Sequence, residues 1–183
     1  MEKLTPIKLV TFLRGINVGG HHKVPMKDLV ELLNKSGFLN VVTILNSGNV
    51  IFDSYDNNIF HIENQLEKSF LSTFGFAIPT IVISADDLKN EYNTKPFEKI
   101  EYTKDTRFYI SFCKEKPVEP LTTPWSTSDE SFHILNFRNR IITSILDLSK
   151  INSPKGMDIL EKHFGKDITT RNWNTIEKII AKL

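Results

Sequence analysis

The first predicted strand is the run Lys8-Leu9-Val10-Thr11-Phe12-Leu13, and the loop Arg14-Gly15-Ile16-Asn17-Val18-Gly19-Gly20 follows it directly. The run is rich in β-branched and aromatic residues, which is typical of a strand. Pro25 then suits the first turn of a helix, where its missing N–H costs nothing. Apolar residues at spacings of three and four predict one buried helix face, formed by Met26, Leu29, Val30 and Leu33.

The same alternation continues to residue 84. Val41–Leu45 and Val50–Phe52 are strand-like and flank the turn Asn46-Ser47-Gly48-Asn49, so they predict a hairpin. A second helix is indicated by apolar spacing and by the stop signal Gly75, and Ile78–Ile83 is a further strand. The order β-α-β-β-α-β predicts an α+β fold, a ferredoxin-like α/β plait, for a first subdomain over residues 1–84.

The remainder of the chain predicts a second subdomain. Residues 85–104 form a linker with a short helix, for which Ser84 is a suitable N-cap. Residues 105–183 repeat the β-α-β-β-α-β pattern and add a terminal helix, which gives two ferredoxin-like subdomains in tandem. Three prolines between positions 114 and 124 predict that the first helix of this repeat is short or irregular.

Composition excludes several classes of protein. Of 183 residues, 23 are Lys or Arg and 22 are Asp or Glu, so no global field steers a polyanion. No apolar run approaches the roughly 18 residues of a membrane span, and no signal-peptide core is present, so we expect a cytoplasmic protein without a membrane partner. The one cysteine, Cys113, excludes an intrachain disulfide and is expected to be a buried apolar residue.

The loop after the first strand is the main candidate site. Glycine lets the backbone approach a ligand, arginine offers a bidentate fork, and the following helix adds its dipole. The alternative is that the glycines only make a tight turn and the arginine pairs with an acid. The loop lacks the spacing of a phosphate-binding Walker loop. The candidate ligand-binding residues are Arg14, Asn17, Gly19, Gly20 and Lys23.

The predicted hairpin turn is a secondary candidate through Ser47 and Asn49. Its residues suit a turn in any case. We expect the turn to lie at the opposite end of the sheet from the Arg14 loop if the second strand starts beyond the first helix. That placement disfavours a site shared by the two segments.

A third candidate cluster precedes the last helix. Arg171 is suited to an anion and Trp173 to stacking on a base or ring, whereas in the structural alternative Asn172 caps the helix and Trp173 packs. Lys155 would lie on the same side if the last two helices are adjacent. The candidates here are Lys155, Arg171, Asn172, Trp173 and Asn174.

No metal or catalytic pattern stands out. The neighbours His21 and His22 cannot easily converge on one ion, and no companion ligands follow at a suitable spacing. No nucleophile–base arrangement or carboxylate dyad is evident from spacing, and no cofactor is expected.

Three segments together resemble the bacterial family catalogued as domain of unknown function 1697. They are Leu13–Gly20 with Lys23–Met26 and Leu29, then Ser47–Phe52, then Thr169–Thr175. The resemblance implies two ferredoxin-like α/β subdomains and no established activity. The chain departs from the family pattern at His21-His22, where members often carry Lys and Asn, and at the proline-rich stretch 117–124.

Three classes of function stay open from the sequence. The preferred one is binding of a phosphate-bearing ligand or nucleic acid through the Arg14–Lys23 loop, since the ferredoxin-like fold often presents an exposed sheet face to RNA. A hydrolase acting on an acyl- or phosphoryl-containing small molecule is suggested by a similarity to acylphosphatases, with Arg14 after the first strand and Asn46 or Asn49 supplying an amide. The third is a non-catalytic module that pairs through exposed sheet edges or faces. Ligand identity, enzymatic activity and oligomeric state are left open.

Overall fold

The protein has a mixed α+β fold that divides into two compact units. A computed structural model describes residues 5–115 and 121–183. The first unit extends to Asp87 and includes Ala181–Leu183, and the second runs from Leu88 to Ile180. Within the described ranges the two units contain five helices and two antiparallel sheets.

The first unit alternates strands and helices in the order β-α-β-β-α-β. Its four strands form one antiparallel sheet in which the third strand in sequence pairs with both the first and the second. The elements are β1 (Ile7–Leu13), α1 (Met26–Lys35), β2 (Leu39–Ile44), β3 (Asn49–Ser54), α2 (Ile59–Phe74) and β4 (Thr80–Ser84), and the sheet order is β2-β3-β1-β4.

The core of the first unit lies between the sheet and the apolar faces of α1 and α2. Asn58 caps α2 by accepting a hydrogen bond from the backbone N–H of His61 at 3.1 Å. Gly75 ends the helix in the left-handed conformation that favours glycine. The helix residues buried in this core include Leu29, Leu33, Ile62, Leu66 and Phe70, and they pack with Leu9, Val50, Phe52 and Val82 of the strands.

The second unit is built on a five-stranded antiparallel sheet. The helix α3 (Ala85–Asn93) leads into this unit. The side chain of Asn152 caps the helix that begins at Ser153 by accepting a hydrogen bond from the N–H of Lys155 at 3.1 Å. The further elements are β5 (Thr106–Cys113), β6 (Trp125–Ser126), β7 (Phe132–Arg138), β8 (Ile141–Asp147), α4 (Ser153–Phe164), β9 (Ile168–Asn172) and α5 (Trp173–Ile180), and the sheet order is β6-β7-β8-β5-β9.

The second unit departs from the predicted β-α-β-β-α-β repeat between β5 and β7. Residues 121–131 of this connection contain the short strand β6 and no helix. Residues 116–120, where part of the proline-rich stretch falls, lie outside the described residues. The described part of this connection therefore contributes an edge strand, whereas the corresponding connection of the first unit, between β1 and β2, contains the helix α1.

Neighbouring residues of the central strands are buried, which disfavours the exposed sheet face invoked by the RNA-binding hypothesis. Successive strand residues point to opposite faces. Leu9 and Val10 of β1 are both fully buried, as are Phe112 and Cys113 of β5.

Across residues 5–115 and 121–183, each helix is too short or too polar to cross a bilayer.

Candidate functional site

The loop between β1 and α1 borders a cleft of about 510 Å³ in the first unit. The cleft brings together three segments: the loop itself, the start of α1 and the turn between β2 and β3. Its lining consists of Asn17, Gly20, Lys23, Val24, Pro25, Met26 and Asn46. Among the described residues of this lining, Lys23 is the one that is ionisable, and it is exposed.

Asn17 holds the loop in its curved shape. Its backbone has a φ of 55°, in the left-handed region that asparagine tolerates better than most residues. The side-chain Nδ2 donates to the carbonyl oxygens of Val24 at 3.0 Å and Asn46 at 2.9 Å. The side-chain Oδ1 accepts from the N–H of Val24 at 2.8 Å. With both amide hydrogens donated, Asn17 fastens the loop to the helix start and to the hairpin turn.

The hairpin turn lies beside the loop, which corrects the sequence-based expectation that the two lie at opposite ends of the sheet. Because β1 and β3 are antiparallel, the start of β3 meets the end of β1, and Phe12 pairs with Asn49. The N–H of Leu13 also donates to the carbonyl of Gly48 at 2.8 Å. The antiparallel pairing of β1 with β3 therefore brings the β2–β3 turn to the end of β1, whatever the starting point of β2.

The turn packs closely against the end of β1. Gly48 is buried with a φ of 75°, and a Cβ built on it would lie 2.7 Å from the Cβ of Leu13 and 2.8 Å from the Cδ1 of Ile16. Asn49 is fully buried, and its Nδ2 donates to the carbonyl of Ile44 at 2.9 Å and to the Oγ of Ser47 at 3.0 Å. These contacts tie Ser47 and Asn49 to the architecture of the turn.

The start of α1 borders the cleft through Pro25 and Met26. A helix leaves its first N–H groups without intrahelical partners, and Pro25 at the N-cap position supplies no side-chain hydrogen bond to them. Asp28 lies in the same first turn but is not among the residues that line the cleft. Lys23 and the N-terminal end of the α1 dipole are therefore the sources of positive potential at this end of the helix.

Arg14 and the histidines of the loop have other surroundings. The N–H of Arg14 donates to the carbonyl of Pro79 at 2.9 Å, and Arg14 is not part of the cleft lining. The Nδ1 of His22 lies 3.3 Å from the carbonyl oxygen of Gly15, and its ring stacks on Phe76 at 4.5 Å. Among residues 5–115 and 121–183, no group of three His, Cys, Asp or Glu residues is arranged to hold a metal ion.

Four of the candidate residues of the second unit lie at the end of β9 and the start of α5, and the fifth, Lys155, lies on α4. Arg171 donates from Nη1 to the Oγ1 of Thr169 at 2.8 Å and to the carbonyl of Thr170 at 2.9 Å. Burial lowers the pKa of Arg171 to about 10, so the guanidinium stays charged at neutral pH. Asn172 is the last residue of β9, and Asn174 follows the first residue of α5. Both asparagines are exposed, as is Lys155 in the first turn of α4.

Trp173 belongs to an aromatic pocket that sequence analysis did not find. It stacks on Tyr92 with ring centroids 5.1 Å apart and meets Phe97 edge to face at 5.0 Å. The pocket has a volume of about 420 Å³. The pocket also contains the aromatic residues Tyr102 and Phe108. Phe108 belongs to β5, whereas Tyr92, Phe97 and Tyr102 lie in the segment 85–104 that was interpreted as a linker. The available signal was this density of aromatic residues between positions 92 and 108.

Most of the chain, including the loop and turn that form the cleft, matches a known protein family. The family model described as "Protein of unknown function (DUF1697)" matches residues 7–141, from β1 to the first residue of β8. The chain belongs to the DUF1697 family. This confirms the resemblance drawn from the loop and turn motifs, both of which fall within the matched residues.

A solved structure resembles this DUF1697 chain over nearly its whole length. It is the conserved bacterial protein SP0830 from Streptococcus pneumoniae, which aligns with a TM-score of 0.71 at 23% identity. The alignment covers 97% of this chain and 98% of the other. At this identity the likeness concerns the fold. No curated protein matches the chain.

Cys113 of the DUF1697 chain is a buried residue of β5, as its strand-like surroundings predicted. Its Sγ lies 3.6 Å from the carbonyl oxygen of Arg140. Burial raises the pKa of the Cys113 thiol to about 11, so the thiol is protonated at neutral pH. A protonated, buried thiol is a poor nucleophile, which agrees with a packing role.

Proposed function

We propose that the first unit binds a small molecule carrying a phosphate or another compact anionic group in the cleft beside Lys23. The observation that carries the proposal is the convergence of the glycine-containing loop, the start of α1 and the Asn46 turn around one cleft of about 510 Å³. This volume falls within the roughly 300–1,000 Å³ that is usual for small-molecule sites.

In this proposal each segment has a distinct task. Lys23 supplies a flexible point charge, and the first N–H groups of α1 supply oriented donors at the positive end of the helix dipole. Gly19 and Gly20, with φ values of 60° and 79°, let the loop backbone curve around the anion. Asn17 is a positioning residue, because its amide is already engaged with Val24 and Asn46.

Two observations favour a small anion over nucleic acid. The net charge of +1 gives little of the phosphate attraction on which nucleic-acid binding depends. Neighbouring residues of β1 and β5, such as Leu9 and Val10, are also buried, so these described positions do not offer the stacking surface that sheet-based RNA-binding domains use.

Binding is also favoured over hydrolysis by the surroundings of the three residues suggested for that chemistry, Arg14, Asn46 and Asn49. Arg14 does not line the cleft, and the Asn49 amide is buried and donates within the turn. Asn46 lines the cleft, but among the described residues of that lining Lys23 is the one ionisable side chain, and no His, Asp, Glu, Ser or Cys accompanies it. A binding role therefore needs fewer assumptions than a catalytic one.

A calorimetric titration with inorganic pyrophosphate tests the proposal. Lys23→Gln should weaken pyrophosphate binding about tenfold, which corresponds to the loss of one charge-assisted hydrogen bond. Lys27→Gln is the matched control, since Lys27 carries the same charge on the first turn of α1 but lies outside the cleft lining and 4.0 Å from Glu31. Equal weakening by both variants, or no binding to the unmodified protein, would contradict the proposal.

We also infer that the two units share a ferredoxin-like plan. Support comes from the strand orders, β2-β3-β1-β4 in the first sheet and β7-β8-β5-β9 within the second, which correspond position by position. In this interpretation the segment with β6 replaces the first helix of the second repeat, and α5 is the added terminal helix.

A further inference from the structure

The aromatic pocket of the second unit has the construction of a second ligand site. It is lined by Tyr92, Asn93, Lys95, Phe97, Glu98, Ile100, Tyr102, Phe108 and Trp173, all of them within the second unit. Ligand pockets in proteins are mostly lined by apolar and aromatic side chains with a few polar groups, and a volume of about 420 Å³ lies in their usual range.

Two stacked ring pairs form the walls of this pocket. Phe97 and Phe108 are parallel within 2° at 4.3 Å, and Tyr92 and Trp173 are within 14° at 5.1 Å. The pairs meet nearly at a right angle, since the planes of Phe97 and Trp173 differ by 83°. Flat walls in such an arrangement present ring faces and edges to an incoming ring, which are the surfaces that aromatic stacking uses.

The pocket leaves a large aromatic side chain in water. Tyr102 is 68% exposed although its ring centroid lies 5.6 Å from that of Phe108, and Phe108 in turn stacks on Phe97, which is only 6% exposed. An anchored inner ring next to an exposed outer ring forms a platform on which a further ring would cover apolar surface. Exposed apolar surface that is grouped in this way is characteristic of a binding site.

The charges at the pocket favour a neutral ligand. Lys95 and Glu98 line the pocket, and their Nζ and Oε1 atoms form an ion pair with each other at 3.0 Å. Because the two charges offset one another, neither a cation nor an anion is selected by a net charge. Asn93 contributes an amide that can hydrogen-bond a ring heteroatom.

We propose that this pocket binds a small molecule through a planar, uncharged aromatic or heteroaromatic ring that stacks on Tyr102 and Trp173. The ring is either a nucleobase or a carbocyclic side chain, and the two share the same stacking chemistry. The inference stands on the second unit alone and does not depend on the anion site proposed for the first.

Tryptophan fluorescence gives a direct test, because the chain has two tryptophans and Trp125→Phe leaves Trp173 as the reporter. The probes are adenosine, uridine and N-acetylphenylalaninamide, with choline as a cation for comparison. Saturable quenching is expected from at least one of the ring compounds, and the compound that quenches identifies the source of the ring. Ligand-observed NMR with the unmodified protein gives an independent measure of the same binding.

A variant of the platform residue completes the test. Tyr102→Ala should weaken binding of the quenching ring compound about tenfold, in line with the loss of one stacking partner. The control is Tyr55→Ala, which removes a tyrosine of 56% exposure from the first unit and should leave the affinity unchanged. Since Tyr102 is mostly exposed, its loss should not unfold the protein, and far-UV circular dichroism checks this. The proposal is overturned if no ring compound binds by either method, if choline binds more tightly, or if Tyr102→Ala binds as well as Tyr55→Ala.

Discussion

The two units have sheets of corresponding strand order but place their cavities in different chemical surroundings. In the first unit the connection after β1 is a loop that enters α1, and Lys23 and two asparagines are among the residues that line the cleft there. In the second unit the connection after β5 includes β6, and the cavity is formed instead by aromatic residues of α3, β5, α5 and the α3–β5 segment. The residues that line each cavity therefore come mainly from the segments that connect the strands.

The two cavities also differ in what holds them in place. Around the first cleft, the turn is fixed against the loop by the close packing of the Leu13 and Ile16 side chains on Gly48 and by the hydrogen bonds of Asn17. In the second unit, α3, which ends at the aromatic pocket, is fastened to the sheet by the buried carboxylate of Glu91. Its Oε1 accepts from the Oγ1 of Thr143 at 2.6 Å, and its Oε2 accepts from the Nδ2 of Asn136 at 3.4 Å. Packing and hydrogen bonds act together in the first case, and a buried polar contact acts in the second.

The largest expected effect comes from filling the space at Gly48. Gly48→Ala should lower the free energy of unfolding by about 3 kcal/mol, because overpacking adds to the cost of a left-handed backbone. Gly20→Ala is the matched control, since Gly20 also has a positive φ but has nothing within 4 Å of a built Cβ, and it should cost about 1 kcal/mol. Urea unfolding measures both, and equal costs would show that the turn is not tightly packed.

A smaller loss is expected when the polar contact of the second unit is broken. Thr143→Val removes the donor to Glu91 and should cost about 2 kcal/mol, because a buried carboxylate loses a hydrogen bond. The neighbouring Ser144→Ala is the control. The Ser144 hydroxyl is buried with no hydrogen-bond partner in the described part of the chain, so its removal should be neutral or stabilising. Urea unfolding again decides, and a costlier Ser144→Ala would contradict this account of α3 attachment.

The smallest effect concerns a surface turn of the second unit. Hydrogen bonds from Thr127 and Ser131 lower the pKa of Asp129 to about 2. Because the folded-state pKa is lowered, the ionised Asp129 contributes its full stabilisation at pH values above the unfolded-state pKa of about 3.8. This contribution is lost as the pH falls toward 2. Carboxyl carbon NMR should give a midpoint near pH 2 for Asp129, and Ser131→Ala should raise it. An unchanged midpoint in Ser131→Ala would show that the Ser131 hydrogen bonds do not set this pKa.

Local sequence patterns predicted the elements of the first unit well. The apolar spacing of Leu29 and Leu33 marked the buried face of α1, and Gly75 marked the end of α2. These signals are local, because helix periodicity and caps depend on residues within one or two turns.

The features that were missed depend on contacts between residues distant in sequence. The position of the hairpin turn follows from the β1–β3 register, in which Phe12 pairs with Asn49. The aromatic pocket depends on Trp173 meeting Tyr92 and Phe97, which no local periodicity encodes. The sequence motifs thus marked Lys23 and Trp173 as candidates, but the cavities beside them became visible only with the tertiary structure.

The central claim, an anion site at the start of α1, is tested most directly by mapping backbone amide shifts during a titration with inorganic pyrophosphate. We predict saturable shifts of the amides from Gly19 to Asp28, accompanied by the amide of Asn46, which lines the same cleft. In Lys23→Gln the same amides should shift only at higher pyrophosphate concentrations. Shifts scattered over surface lysines, or amides of this segment that do not respond, would contradict the claim.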